Sequence, residues 1–179
     1  MQIRALGLMA GLTLAQPAAC LEPVAEANRA CPARERLANE ARQIINTLRA
    51  TPKRCGSQTF LRAGPVQWNE LLFEAASLHA GDMNRRGYFS HQSPEGRSPG
   101  QRIERIGYVW QSYGENIAHN VSDLQATFEA WLRSPPHCQA IMQPEFRDFG
   151  LACENAGDDS YWVLELAAPG NPKLRVRGQ

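Results

Sequence analysis

No block of like charge, no apolar run long enough to cross a bilayer, and no internal repeat or low-complexity tract marks this chain. Lys+Arg 19 against Asp+Glu 18 leaves +1 over 179 residues. That balance excludes binding to nucleic acid or to an acidic membrane surface by bulk electrostatics. The motifs of several chemistries are also missing. No glycine-rich phosphate loop, no G-x-S-x-G, no H-E-x-x-H and no basic patch interleaved with aromatics appears. Histidine is scarce, at four, so each can be weighed singly.

Cysteine, by contrast, is present in an odd number, five. Met1 to Arg4 carries one positive charge, residues 5–15 are apolar, and Pro17, Ala18 and Ala19 supply small residues, the order of a secretory signal peptide. Residues 1–19 are therefore read as a leader, and a cut there leaves about 160 residues. The protein is expected to be exported, to the periplasm or the exterior, without a transmembrane segment. Cys20 stands where a lipoprotein acceptor would stand, but Pro17 occupies a position that such signals reserve for an aliphatic residue. Simple secretion is accordingly preferred over anchoring through Cys20. Cys31, Cys55, Cys138 and Cys153 then form an even set in a compartment that permits disulfides, with three pairings open. A link from the first half to the second would close a loop of roughly a hundred residues, worth about 4–5 kcal/mol.

Apolar spacing of three and four predicts an amphipathic helix over 32–49. Residues 51–67 read as a long loop pinned by Cys55. Asn69 is placed to cap a helix running to about Arg86 and ended by Gly87, and a short helical stretch spans 101–106. Ser122 is expected to cap a third helix, which Ser134-Pro135-Pro136 ends, with one or two further turns over 137–142. Strands are expected at 113–119, 149–154 and 161–166, the last two forming a hairpin. Helices first and a small antiparallel sheet late indicate an α+β fold. Residues 170–179 read as a flexible basic tail.

His79 lies on the apolar stripe of its helix and reads as a hydrogen-bonded core residue. His119, beside Asn120, reads as solvated. His91 and His137 lie in short connections, where a rigid scaffold carries functional groups. Glu115, beside Gly114 where a neighbouring backbone could approach, suits an inward-pointing carboxylate. Two imidazoles and a carboxylate can hold a divalent cation, or serve as an acid/base set without metal. Spacing alone selects neither. Cys138, next to His137, reads as a disulfide partner rather than a nucleophile.

Trp68-Asn69, Gly87-Tyr88-Phe89-Ser90-His91, Gly114-Glu115-Asn116-Ile117-Ala118, Trp131-Leu132-Arg133-Ser134-Pro135-Pro136-His137-Cys138 and Tyr161-Trp162 follow one another in a telling order. In that order the chain resembles bacterial members of the CAP superfamily, that is, cysteine-rich secretory proteins, antigen 5 and pathogenesis-related proteins, also called SCP domains. The resemblance implies one domain over 32–169. It implies an α-β-α sandwich with a small three-stranded antiparallel sheet between helical layers. It also implies a surface cavity lined by His91, Glu115 and His137. A further glutamate found three residues after the tryptophan in many eukaryotic members is Ser134 here, and Glu129 should point to another face.

The reading that follows is an exported, monomeric binding protein for a divalent cation, Zn²⁺ or Mg²⁺, or for a small or lipidic ligand. The alternatives are a metal-assisted hydrolase in which Glu115 activates water, and a purely structural polar cluster.

Overall fold

Leu37, Ala41, Ile45 and Arg49 recur every four residues along α1 (Arg34–Arg49), and all four are buried. This computed structural model describes residues 31–157 and 159–171. The leader, Cys20 and residues 172–179 of the expected tail lie outside the described residues.

The 51–67 segment is more regular than a loop. It holds a hairpin of β1 (Lys53–Cys55) and β2 (Gln58–Phe60), followed by the two-residue β3 (Gln67–Trp68). Three residues per strand are too few to give an alternating pattern, so the sequence reads as irregular there. Asn69 caps α2 (Glu70–Arg86), its side chain accepting from the Leu71 and Leu72 amides, and Gly87 ends the helix at φ 65°. The next helix, α3 (Pro99–Arg105), starts earlier than periodicity indicates, because Ser98 and Gln101 form a reciprocal capping box with Pro99 in the first turn. For α4 (Leu124–Arg133) the cap is Asp123, whose Oδ1 accepts from the Ala126 amide at 2.8 Å, and not Ser122. Ser122 donates its hydroxyl to Asp123 instead. Ser134, in extended backbone, separates α4 from α5 (Pro135–Met142).

Strands β4 (Trp110–His119), β5 (Asp148–Ala156) and β6 (Asp159–Pro169) form the antiparallel sheet, with β3 added in parallel at one edge in the order β3-β5-β6-β4. On one face Ala76, Ala80 and Met83 of α2 meet Ile117, Ala152 and Val163. On the other, residues of α1, α4 and α5 meet Phe149, Leu151, Trp162 and Leu164. The result is an α-β-α sandwich in which β6 is buried from Ser160 to Ala168 on both faces. Each large apolar side chain so enclosed contributes about 1.5–3 kcal/mol. The approach of α2 depends on Gly150, where a Cβ would lie 2.1 Å from the Phe73 amide nitrogen.

Two disulfides, Cys31–Cys153 and Cys55–Cys138, join the first half of the chain to the second across 122 and 83 residues. Arg49 adds a polar tie. Its fully buried guanidinium donates to the carbonyls of Gly64, Ile141, Gln143 and Phe146 at 2.7–3.1 Å.

Candidate functional site

The register of β4 against β6 sets Glu115 directly opposite Glu165, on the sheet face that α2 covers. Both side chains are almost wholly enclosed, at 1% and 0% exposure. Two buried carboxylates side by side need a counter-charge. It comes from Arg102 on α3, which is ion-paired with Glu115 Oε2 and lies 3.9 Å from Glu165 Oε1. Arg102 also donates to the carbonyls of His91, at 2.8 Å, and Arg97, at 3.1 Å, so it fixes the 91–97 connection as well as the carboxylates.

His91 completes the chain of contacts, its Nδ1 lying 2.7 Å from Glu115 Oε1. Burial alone would push the Glu115 carboxyl up. The His91 hydrogen bond, the Arg102 charge and the Glu165 carboxyl together outweigh it and hold Glu115 below the ordinary glutamate range. Glu165 behaves in the opposite way: burial first, then the Glu115 charge, push it well above that range. Neither Glu165 oxygen has a hydrogen-bond partner among the described residues, although Glu115 is its cross-strand neighbour. A proton retained on Glu165 removes the like-charge repulsion with the ionised Glu115. With Glu115 ionised, its bond to His91 requires the ring proton on Nδ1, and in the neutral ring that leaves Nε2 with its lone pair.

His137 arrives from the opposite side, on α5. Its backbone carbonyl accepts from Nδ2 of the fully buried Asn116 at 3.1 Å, and the ring is half-buried. Burial and then the nearby His91 lower its pKa, so the ring stays neutral. Gly114 makes room for this side of the site: a Cβ there would meet the Phe146 ring at 3.2 Å. The close neighbour is thus an aromatic side chain and not the backbone that the sequence suggests.

The structure therefore bonds His91 directly to Glu115 and brings His137 within electrostatic range of His91. Among the described residues no group of three or more His, Cys, Asp or Glu side chains is arranged to hold a metal ion. His79 is a core residue, 1% exposed, with Nε2 2.9 Å from the Ser90 carbonyl and its pKa lowered chiefly by burial. His119 is only partly solvated, its side chain 33% exposed. Its ring stacks on Tyr161 at 4.2 Å and lies 5.6 Å from Phe89, because β4 pairs it directly with Tyr161. Glu129 is exposed and bonded to Gln125. Glu165, Arg102 and Asn116 are the site residues that sequence reasoning misses. A cavity of about 360 Å³ borders the cluster, and its lining includes His79 and Arg102 but not the His91 and His137 rings.

The bacterial character of the chain is carried by its relatives. The uncharacterized protein YkwD of Bacillus subtilis (strain 168) is 33% identical over 102 residues, covering 57% of this chain and 39% of YkwD. An extracellular SCP-domain protein from Bacillus anthracis superposes with a TM-score of 0.63 at 24% identity, over 75% of this chain and 41% of that one. An outer surface protein from Borrelia burgdorferi gives 0.67 at 18% identity, over 78% of this chain and 98% of that one. The chain thus spans well under half the length of YkwD and of the Bacillus anthracis protein. The description of the Cysteine-rich secretory protein family, CAP, matches residues 36–166, a stretch that includes α2 to α5, β1 to β5, most of β6 and every residue of the site. The chain belongs to the CAP family.

Proposed function

We propose that the chain is an exported binding protein that captures its ligand at His91 and His137, with Glu115 holding His91 from behind. The ligand is a divalent cation, or a small or lipidic molecule bound at the same rings. The carrying observation is the 2.7 Å bond between His91 Nδ1 and an enclosed, ionised Glu115. It fixes the tautomer and leaves Nε2 on a ring that is 49% exposed.

The donor set fits Zn²⁺ better than Mg²⁺, since neutral imidazoles suit the former and the latter requires oxygens. Glu115 fits as the carboxylate behind a ligating histidine rather than as a ligand, both its oxygens being engaged by His91 and Arg102. Zn²⁺ held by two imidazoles would offer further positions to water or to a ligand donor. The structure of NaASP2 with Zn²⁺ has the same fold, with a TM-score of 0.50. The same engagement of Glu115 disfavours the hydrolase reading, in which it would activate water. The exposure of His91 disfavours a sealed, purely structural network. Two interhalf disulfides and the extracellular and surface relatives support export.

Isothermal titration with Zn²⁺ tests the proposal. The intact chain should bind one equivalent, and His91→Ala and His137→Ala should each lose that binding. Equal affinity in all three proteins would overturn it.

A further inference from the structure

The cavity of about 360 Å³ beside the cluster has three walls. The exposed side of α2 supplies Asp82, Arg85 and Arg86, the connection to α3 supplies Glu95 and Arg97, and α3 supplies Arg102 and Arg105. Ala75, Leu78 and Ile106 add an apolar strip, and Leu78 is 58% exposed at its edge. The connection is tightly built, since the Gly96 amide donates to the Ser93 carbonyl and the Arg97 amide to the Ser93 hydroxyl.

With Arg102 already paired to Glu115, the other four arginines against two carboxylates leave this lining a formal charge of +2, on a chain whose total is +1. Arg86 is shared between Asp82 and Glu95, Arg85 is paired with Asp82, and Arg97 reaches Glu95 only at 3.8 Å. Arg105 has no acidic partner among the described residues. Arg102 forms the inner wall, and its Nε–H has no acceptor among the described residues. Two acids cannot neutralise this set, and guanidinium forks match the oxygens of phosphate and carboxylate. A dianionic head leaves less uncompensated charge here than a monoanionic one, and the volume exceeds what inorganic phosphate fills.

We propose that this cavity binds a phosphate monoester whose short apolar part lies along Leu78 and Ile106. The site is separate from the His91 and His137 rings and does not depend on their cation. A soluble phosphomonoester and a phosphatidic acid headgroup present the same chemistry, and the test distinguishes them.

Hexyl phosphate, inorganic phosphate and hexanol are titrated into the full chain and followed by arginine side-chain ¹H–¹⁵N shifts. Phosphatidylcholine vesicles with and without phosphatidic acid are used in parallel in sedimentation. Hexyl phosphate should saturate and bind more tightly than inorganic phosphate, with no response to hexanol. Arg97→Gln with Arg105→Gln should weaken it about tenfold or more. Arg105→Gln alone, at an exposed helix end, should weaken it measurably without affecting the fold. Zn²⁺ titration should be unchanged in both variants, so a failure here is distinct from a failure at the imidazoles. Selective sedimentation with phosphatidic acid vesicles that the double variant loses assigns a lipid headgroup, and hexyl phosphate binding without it assigns a soluble ester. Absence of saturation by hexyl phosphate, equal affinity in the double variant, or vesicle binding without hexyl phosphate binding would each overturn the proposal.

Discussion

Glu115 and Glu165 are register partners on β4 and β6, both sealed from solvent, and Arg102 reaches the two of them. One guanidinium for two carboxyls divides their roles: Glu115 is ionised and Glu165 keeps its proton. A carboxyl that folding makes harder to ionise stabilises the folded chain fully below the ordinary glutamate range. That contribution is lost as pH climbs toward its raised value. Glu165→Gln, which cannot ionise, should escape this loss. Melting temperatures from pH 5 to pH 9 should show the intact chain falling behind Glu165→Gln by at least about 3 °C. Parallel profiles would show that Glu165 is ionised throughout.

Arg49 tests the buried polar tie. Its guanidinium serves four carbonyls from two segments of the chain, Gly64 and 141–146, and burial, followed by the Arg147 charge, lowers its pKa to about 10. Arg49→Met should destabilise by about 3–5 kcal/mol, read from the urea midpoint, since it strands those carbonyls. Arg49→Lys should recover little of it, because a point charge cannot replace the fork.

The disulfides close loops whose lengths differ by less than a factor of two. Loop closure depends on the logarithm of length, so removing either pair should cost about 2–5 kcal/mol. The two costs should differ by only about 0.3 kcal/mol on this ground. Cys55 and Cys138 also pack with Phe60 and Met142. A markedly larger cost for that pair would show that packing, not loop closure, sets its value.

The helices α1 and α2 were legible because one face of each is buried, which leaves the fourfold spacing of Leu37, Ala41 and Ile45 and the bracketing pair Asn69 and Gly87. Glu165 was hidden for the opposite reason. On a strand with one wet face a lone glutamate reads as the outward residue, but β6 is covered on both sides, so alternation carries no information there. Arg102, on a short helix with a polar surface, looks like any solvated arginine. His91 and Glu115 are 24 residues apart, and it was the blocks around them, not their spacing, that marked them. Adjacent Ser122 and Asp123 both suit a cap, and only the geometry of the first turn chooses between them.

Glu115 is assigned a positioning role, and this has its own consequence. Glu115→Gln retains both imidazoles but no longer fixes His91 with a charged acceptor. Zn²⁺ affinity should fall about 10–100-fold without being abolished. Complete loss with an intact fold would make Glu115 a ligand, and no loss would make it irrelevant to binding.

The most direct test of the account is a Zn²⁺ titration followed by the ring ¹⁵N resonances of all four histidines. Before metal, His91 should be protonated on Nδ1 and bare on Nε2. On titration one nitrogen each of His91 and His137 should shift together and saturate at one equivalent, while His79 and His119 stay in place. A His91 ring protonated on Nε2, or saturation that leaves either His91 or His137 unmoved, would contradict it.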